Sequence, residues 1–153
     1  MANTYTQIHI HTVFAVQNRA SLIKKDWQDR LFQYIIAIIK NHGHKVLSIG
    51  GMPDHIHILF GFRPTQSLSD LIQNVKRDSS EWINKEKLIT SRFSWQEGYG
   101  GFSYGKSQIP QMIKYIENQD EHHEKHTFIE EYKQILTNFG LEYDEKYIFK
   151  PIE

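Results

Sequence analysis

The chain has 153 residues, 39% hydrophobic and 24% charged, which suits one folded domain with its own core and excludes a disordered chain. It has no apolar run long enough to span a bilayer and no basic-then-apolar secretory signal, so a cytoplasmic location is expected; without cysteine, any metal must be held by His, Gln, Asp or Glu. Net charge is zero but uneven: residues 1–92 hold 12 basic and 7 acidic side chains (+5) and residues 93–153 hold 6 and 11 (−5), which leaves room for a basic surface on the first two-thirds.

Residues 5–16 read as a first strand, with Ile8, Ile10, Phe14 and Val16 on one face and His9, His11 and Val13 on the other. His9 and His11 are expected to be half-exposed histidines beside a site. A polar connection, 17–21, carries Arg19, which can touch phosphate. Trp27, Leu31, Tyr34, Ile35, Ile38 and Ile39 recur at helical spacing over 24–42, and Gly43 supplies the stop. His42 and His44 flank that stop and read as surface residues. Residues 45–49 form a short second strand, and a Gly-Gly-Met-Pro turn leads into a third.

The third strand, residues 53–60, is the most informative stretch. Asp54, Ile56, Ile58 and Phe60 point one way, and His55 and His57 point the other, two imidazoles side by side. After a loop at 61–66, Ser67 caps a helix with Asp70 three residues on. Leu68, Leu71, Ile72, Val75, Ser79 and Trp82 line its buried face; Lys76 and Arg77 lie towards the polar side, where they can hold a phosphate backbone. Residues 92–96 are expected to be the fourth strand. Gly98, Gly100, Gly101 and Gly105, interleaved with aromatics, read either as a mobile loop on which bases stack or as a plain hinge. Ser107 is expected to cap a helix over about 109–125, with Pro110 in its first turn and Ile109, Met112, Ile113 and Ile116 as the packing stripe. Tyr115 and Gln119, four apart, share one face, and His122 follows a turn later. Thr127 and Glu130 open a last helix, which runs through Leu136 to Gly140, ahead of a polar, aromatic tail.

Strand, helix, strand, strand, helix, strand is the order of a ferredoxin-like (RRM-like) α+β domain: an antiparallel four-stranded sheet, helices on one face, the other face open for ligands. Residues 1–153 form a single domain, with the 109–125 helix and a C-terminal helix and tail, 127–153, appended. A strand His pair plus one more ligand makes a three-ligand metal site with open positions, and Gln119 can be the third ligand through its amide oxygen. Nitrogen and oxygen donors without thiolate suit Mg²⁺ or Mn²⁺. Tyr115, one turn from Gln119, would then sit at the metal.

The segments 52–57, 95–100, 115–123 and 139–145 resemble, in the same order, those of the HUH single-tyrosine transposases of small bacterial insertion sequences, the IS200/IS605 type. The resemblance implies a homodimer that cuts and rejoins single-stranded DNA at hairpin-bearing element ends. It makes Tyr115 the nucleophile that forms a 5′-phosphotyrosine, and His55, His57 and Gln119 the catalytic metal ligands. Tyr115 can serve its own or its partner's site, with the glycine stretch as the swing arm. The alternative is a non-catalytic or domesticated protein that binds hairpins or single strands on the same fold.

Overall fold

The structure is a computed structural model, which describes residues 3–123 and 126–144, with the backbone alone at 122 and 123. Four strands, β1 (His9–Ala15), β2 (Lys45–Met52), β3 (His55–Gly61) and β4 (Gly100–Ser103), form one antiparallel sheet in the order β2-β3-β1-β4. This is the expected α+β, ferredoxin-like sheet. Helices α1 (Lys25–Asn41) and α2 (Leu68–Lys85) cover one face. Their apolar stripes, including Leu31, Ile35 and Ile39 of α1 and Leu71, Ile72 and Val75 of α2, close on Phe14, Ile56, Ile58 and Phe60 from the central strands. The end signals act as read: Gly43 adopts a φ of 90° after α1, and the Ser67 side chain accepts from the Asp70 backbone N–H. Leu68 and Trp82 are only partly buried on α2, where Ile83 completes the stripe.

The fourth strand is not where alternation placed it. Residues 92–96 alternate because Phe93 and Trp95 are anchors in the core, but Trp95 makes only an isolated bridge to Val16, the residue just after β1. The Asn84 side chain clasps the backbone of Phe93 at 2.7 and 3.0 Å, and the Trp95 indole N–H donates to the Ser79 hydroxyl at 2.9 Å. The strand that pairs with β1 is Gly100–Ser103, so Gly100 and Gly101 belong to the sheet rather than to a free hinge. Tertiary pairing outweighs the poor strand preference of glycine here.

The second sheet face is not open either. Helix α3 (Ile109–Glu117), a short α4 (Gln119–His123) and α5 (Phe128–Asn138) lie against it. Two glycines make that approach possible. Gly50 stands opposite His57 on β2, and a Cβ there would lie 2.3 Å from the Ile116 carbonyl oxygen of α3. Gly100 stands opposite Val13 on β4, where a Cβ would lie 2.8 Å from the Tyr132 hydroxyl of α5. Phe128, Tyr132, Ile135 and Leu136 pack on Val13, Ala15 and Phe102 beneath them.

The helix expected over 109–125 starts at Ile109 and breaks at Asn118, so Gln119 opens α4; Ser107 sits in a preceding 3₁₀ turn and makes no side-chain cap. Its expected end at Lys125, the His122 side chain and the tail from Glu145 lie outside the described residues. The Thr127 cap is present, its hydroxyl accepting from the Glu130 N–H.

Candidate active site

Strand alternation delivers the first two groups. His55 and His57 project from β3 onto the face covered by α3, α4 and α5, and both are fully buried. Beside them, β1 projects His11. It is also fully buried, contrary to the half-exposed reading, and its Nε2 lies 2.8 Å from His57 Nδ1. One hydrogen is shared there, which fixes the His57 ring and aims its Nε2 at the helices. Burial first, and then the neighbouring His57, hold the His11 pKa well below its ordinary value, so His11 serves as a neutral partner. His55 is oriented by its chain neighbour: its Nδ1 donates to the Asp54 carboxylate at 2.7 Å. Its Nε2 therefore also points inward.

Helices supply the rest. Gln119 is 2% exposed. Its amide nitrogen donates to the Tyr115 carbonyl at 3.3 Å, which turns its oxygen to 3.3 Å from His55 Nε2. The break at Asn118 thus preserves the adjacency that an unbroken helix would have given. Glu131, from α5, reaches the same point, with one carboxylate oxygen 3.1 Å from His57 Nε2 and 3.4 Å from His55 Nε2. Its other oxygen accepts a short hydrogen bond from the Tyr115 hydroxyl. Phe128, one turn earlier on α5, stacks on the His55 ring at 4.1 Å.

The electrostatics follow from this burial. Desolvation alone would lower the His55 pKa, but hydrogen bonds and charge from Asp54 and Glu131 outweigh it and hold the pKa above its ordinary value. Burial, then the Glu131 charge and hydrogen bond, push the Tyr115 hydroxyl well above its ordinary value, so the phenol keeps its proton in this arrangement. With Nδ1 donating to Asp54, a neutral His55 presents a bare lone pair at Nε2, facing the oxygens of Gln119 and Glu131. Such converging acceptors need a positive centre between them, either a proton on His55 or a metal ion. His55, His57 and Glu131 each offer a ligand atom, all within 4.8 Å of one another. The donor set, nitrogen and oxygen with second partners on the histidines, therefore fits a divalent cation. A groove of about 200 Å³, lined by His11, Tyr104, Met112, Tyr115, Glu131 and Ile135 among others, gives access to the tyrosine from outside.

The family model described as "Transposase IS200 like" matches residues 4–119. The chain belongs to the IS200-like transposases. Its similarity to the ISDra2 transposase TnpA of Deinococcus radiodurans is 27% identity over 119 residues, 74% of this chain and 84% of that protein. Among solved structures it resembles a candidate transposase of D. radiodurans (TM-score 0.63, 20% identity, 78% of this chain and 95% of that one). It also resembles a REP-associated tyrosine transposase bound to a REP hairpin (TM-score 0.60, 13% identity, 80% and 73%). Both structures match in fold.

In this transposase the four residues singled out by the sequence, Tyr115, His55, His57 and Gln119, converge on one point within a single chain. The DNA-contact candidates do not. Lys76 is partly buried, donates to the carbonyls of Gln96 and Gly98 at 2.8 and 2.6 Å and lies over the Phe14 ring, so it staples a loop rather than facing solvent. Arg77 pairs with Asp78 on the surface at 3.1 Å. Arg19 lies in a 3₁₀ turn at a φ of 53°. His44, expected on the surface, is 3% exposed; it accepts from the Arg63 N–H at 3.0 Å and holds Gln66 at 2.9 Å. Sequence reasoning missed Glu131 and the part played by His11. A signal for Glu131 exists: it falls on the apolar stripe of α5, between Phe128 and Ile135, where a solvated acid has no place.

Proposed function

We propose that this transposase cleaves single-stranded DNA beside a hairpin with Tyr115 as the nucleophile, assisted by a divalent cation, Mg²⁺ or Mn²⁺, held by His55, His57 and Gln119. The observation that carries the reading is the convergence of a tyrosine hydroxyl and two buried, oriented histidines on one point. When bound, the cation would neutralise a phosphodiester oxygen and orient the phosphorus for in-line attack. Tyr115 Oη forms the new bond to phosphorus as the bond to the 3′ oxygen breaks. The phenol proton passes to Glu131, and the leaving oxygen takes up a proton to become a 3′-hydroxyl. The phosphotyrosine link conserves the bond energy, so attack by a 3′-hydroxyl on that link rejoins strands without ATP. His11 and Asp54 keep the histidine rings aimed, and α3 and α5 shield the site from bulk water.

The placement of Tyr115 beside His57 of its own chain, ring centroids 5.7 Å apart, supports a nucleophile acting in cis. A homodimer would then present two sites, one for each end of an element. Acting on cellular DNA places the protein in the cytoplasm. The test is incubation with labelled single-stranded DNA from the gene's flanks and Mg²⁺, followed by denaturing electrophoresis. A covalent protein–DNA band is expected, lost in Tyr115→Phe while hairpin binding persists. A band that survives in Tyr115→Phe assigns the nucleophile elsewhere.

A further inference from the structure

Glu131 lies beyond residue 119, where the match to the family model ends, yet its carboxylate is at the centre of the site. It is 4% exposed. A carboxylate so buried is costly unless opposite charge and hydrogen bonds compensate it. Its position is not accidental to the helix that carries it. Thr127 caps α5, Phe128 stacks on His55, and Tyr132 settles over Gly100; that register turns Glu131 inward.

The distances are informative. Donors that share one small divalent ion at about 2.1 Å lie about 3.0 Å apart at right angles and about 3.4 Å apart at tetrahedral angles. The contacts His57 Nε2 to Glu131, His55 Nε2 to Gln119 and His55 Nε2 to Glu131 are 3.1, 3.3 and 3.4 Å. All fall in that interval, with Glu131 contributing two of the three. The second Glu131 oxygen is meanwhile committed to the Tyr115 hydroxyl.

We propose that Glu131 is a ligand of the cation alongside His55, His57 and Gln119, and that its other oxygen aims the Tyr115 hydroxyl, so that helix α5 completes the active site. This rests on the cation reading above. The rival is that Glu131 is a plug, which occupies the cation's place and must leave before metal binds.

Mn²⁺ binding to the full chain, followed by electron paramagnetic resonance, separates the two. His57→Ala, Glu131→Ala and Glu131→Gln are compared with the parent, each checked for its thermal midpoint. Loss of a ligand predicts that Glu131→Ala weakens Mn²⁺ binding about tenfold or more, with Glu131→Gln intermediate because its amide oxygen can still ligate. Unchanged or tighter Mn²⁺ binding in Glu131→Ala overturns the ligand role and supports the plug. Should Glu131→Ala not fold, Glu131→Leu, which keeps the volume but has no ligating oxygen, decides by the same criterion. If His57→Ala retains full affinity, the cation site itself is misplaced, a failure distinct from that of Glu131. At saturating Mn²⁺, Glu131→Ala should still form the covalent DNA adduct more slowly; an unaltered rate removes the aiming role.

Discussion

Substituting alanine for Gly50 tests the assembly of the site without touching any group in it. The new Cβ would lie 2.3 Å from the Ile116 carbonyl oxygen and 3.1 Å from Ile116 Cγ2. Carbon–oxygen contacts close at about 3.3 Å, so one backbone must retreat by about 1 Å. Both are constrained: Gly50 is paired to His57 in the sheet, and Ile116 is in α3. Overpacking of this kind costs about 1–3 kcal/mol. In a domain of this size that corresponds to a fall in thermal midpoint of roughly 2–12 °C. Ile116 adjoins Tyr115, so lifting α3 carries the hydroxyl and Gln119 away from the histidines. A displacement of about 1 Å in a reacting group costs on the order of 100-fold in rate. The assay is the rate of covalent adduct formation on labelled single-stranded DNA, read beside a melting curve. An unchanged adduct rate together with an unchanged melting curve would refute the reasoning, because α3 would not then be seated on its own sheet and the nucleophile would reach the histidines by another route.

Other outcomes follow from single contacts. Chelation with EDTA should stop adduct formation, and Mg²⁺ or Mn²⁺ should restore it; activity that persists in the chelator removes the role of His55 and His57. His11→Ala should weaken Mn²⁺ binding by about 10–100-fold by releasing His57 Nδ1, measured by titration calorimetry, whereas an unaltered constant means that His11 only fills space. Ser79→Ala, on the far side of the sheet, strips the buried Trp95 indole N–H of its acceptor; urea unfolding should show a loss of about 1–3 kcal/mol, and no loss would mean that the indole finds another partner. Lys76 gives a pH signature. Burial lowers its pKa to about 8, so between about 8 and 10.5 the folded state has shed a proton that the unfolded state keeps, and stability should rise with pH across that window. Denaturation at stepped pH should show that slope in the parent and not in Lys76→Met; equal slopes would place the lysine in water.

Much of the scaffold was legible because its signals are local. Gly43, Ser67 and Thr127 end or begin helices through their own backbone angle or hydroxyl, and the structure places all three as read. The misplaced strand shows the limit of such signals. Alternation at 92–96 records burial of Phe93 and Trp95, and burial alone does not say whether the backbone pairs. His44 reads as a surface group and His11 as half-exposed because histidine tolerates both environments; a loop from Arg63 to Gln66 and the neighbouring His57 decide that both are buried.

The sequence alone determined that His55 and His57 share a face and that Tyr115 and Gln119 lie one turn apart. The first follows from the two-residue repeat of a strand; the second, read from the helical repeat, survives the break at Asn118 because the Gln119 amide donates back to the Tyr115 carbonyl. Only the tertiary structure decided that these two pairs meet in one chain, that α3 and α5 close the face that had been expected to stay open, and that Glu131 stands between the histidines and the tyrosine. Those outcomes depend on Gly50 and Gly100 clearing space for helices that come more than 30 residues away in sequence. Such contacts are set by the fit of surfaces that exist only once the sheet has formed.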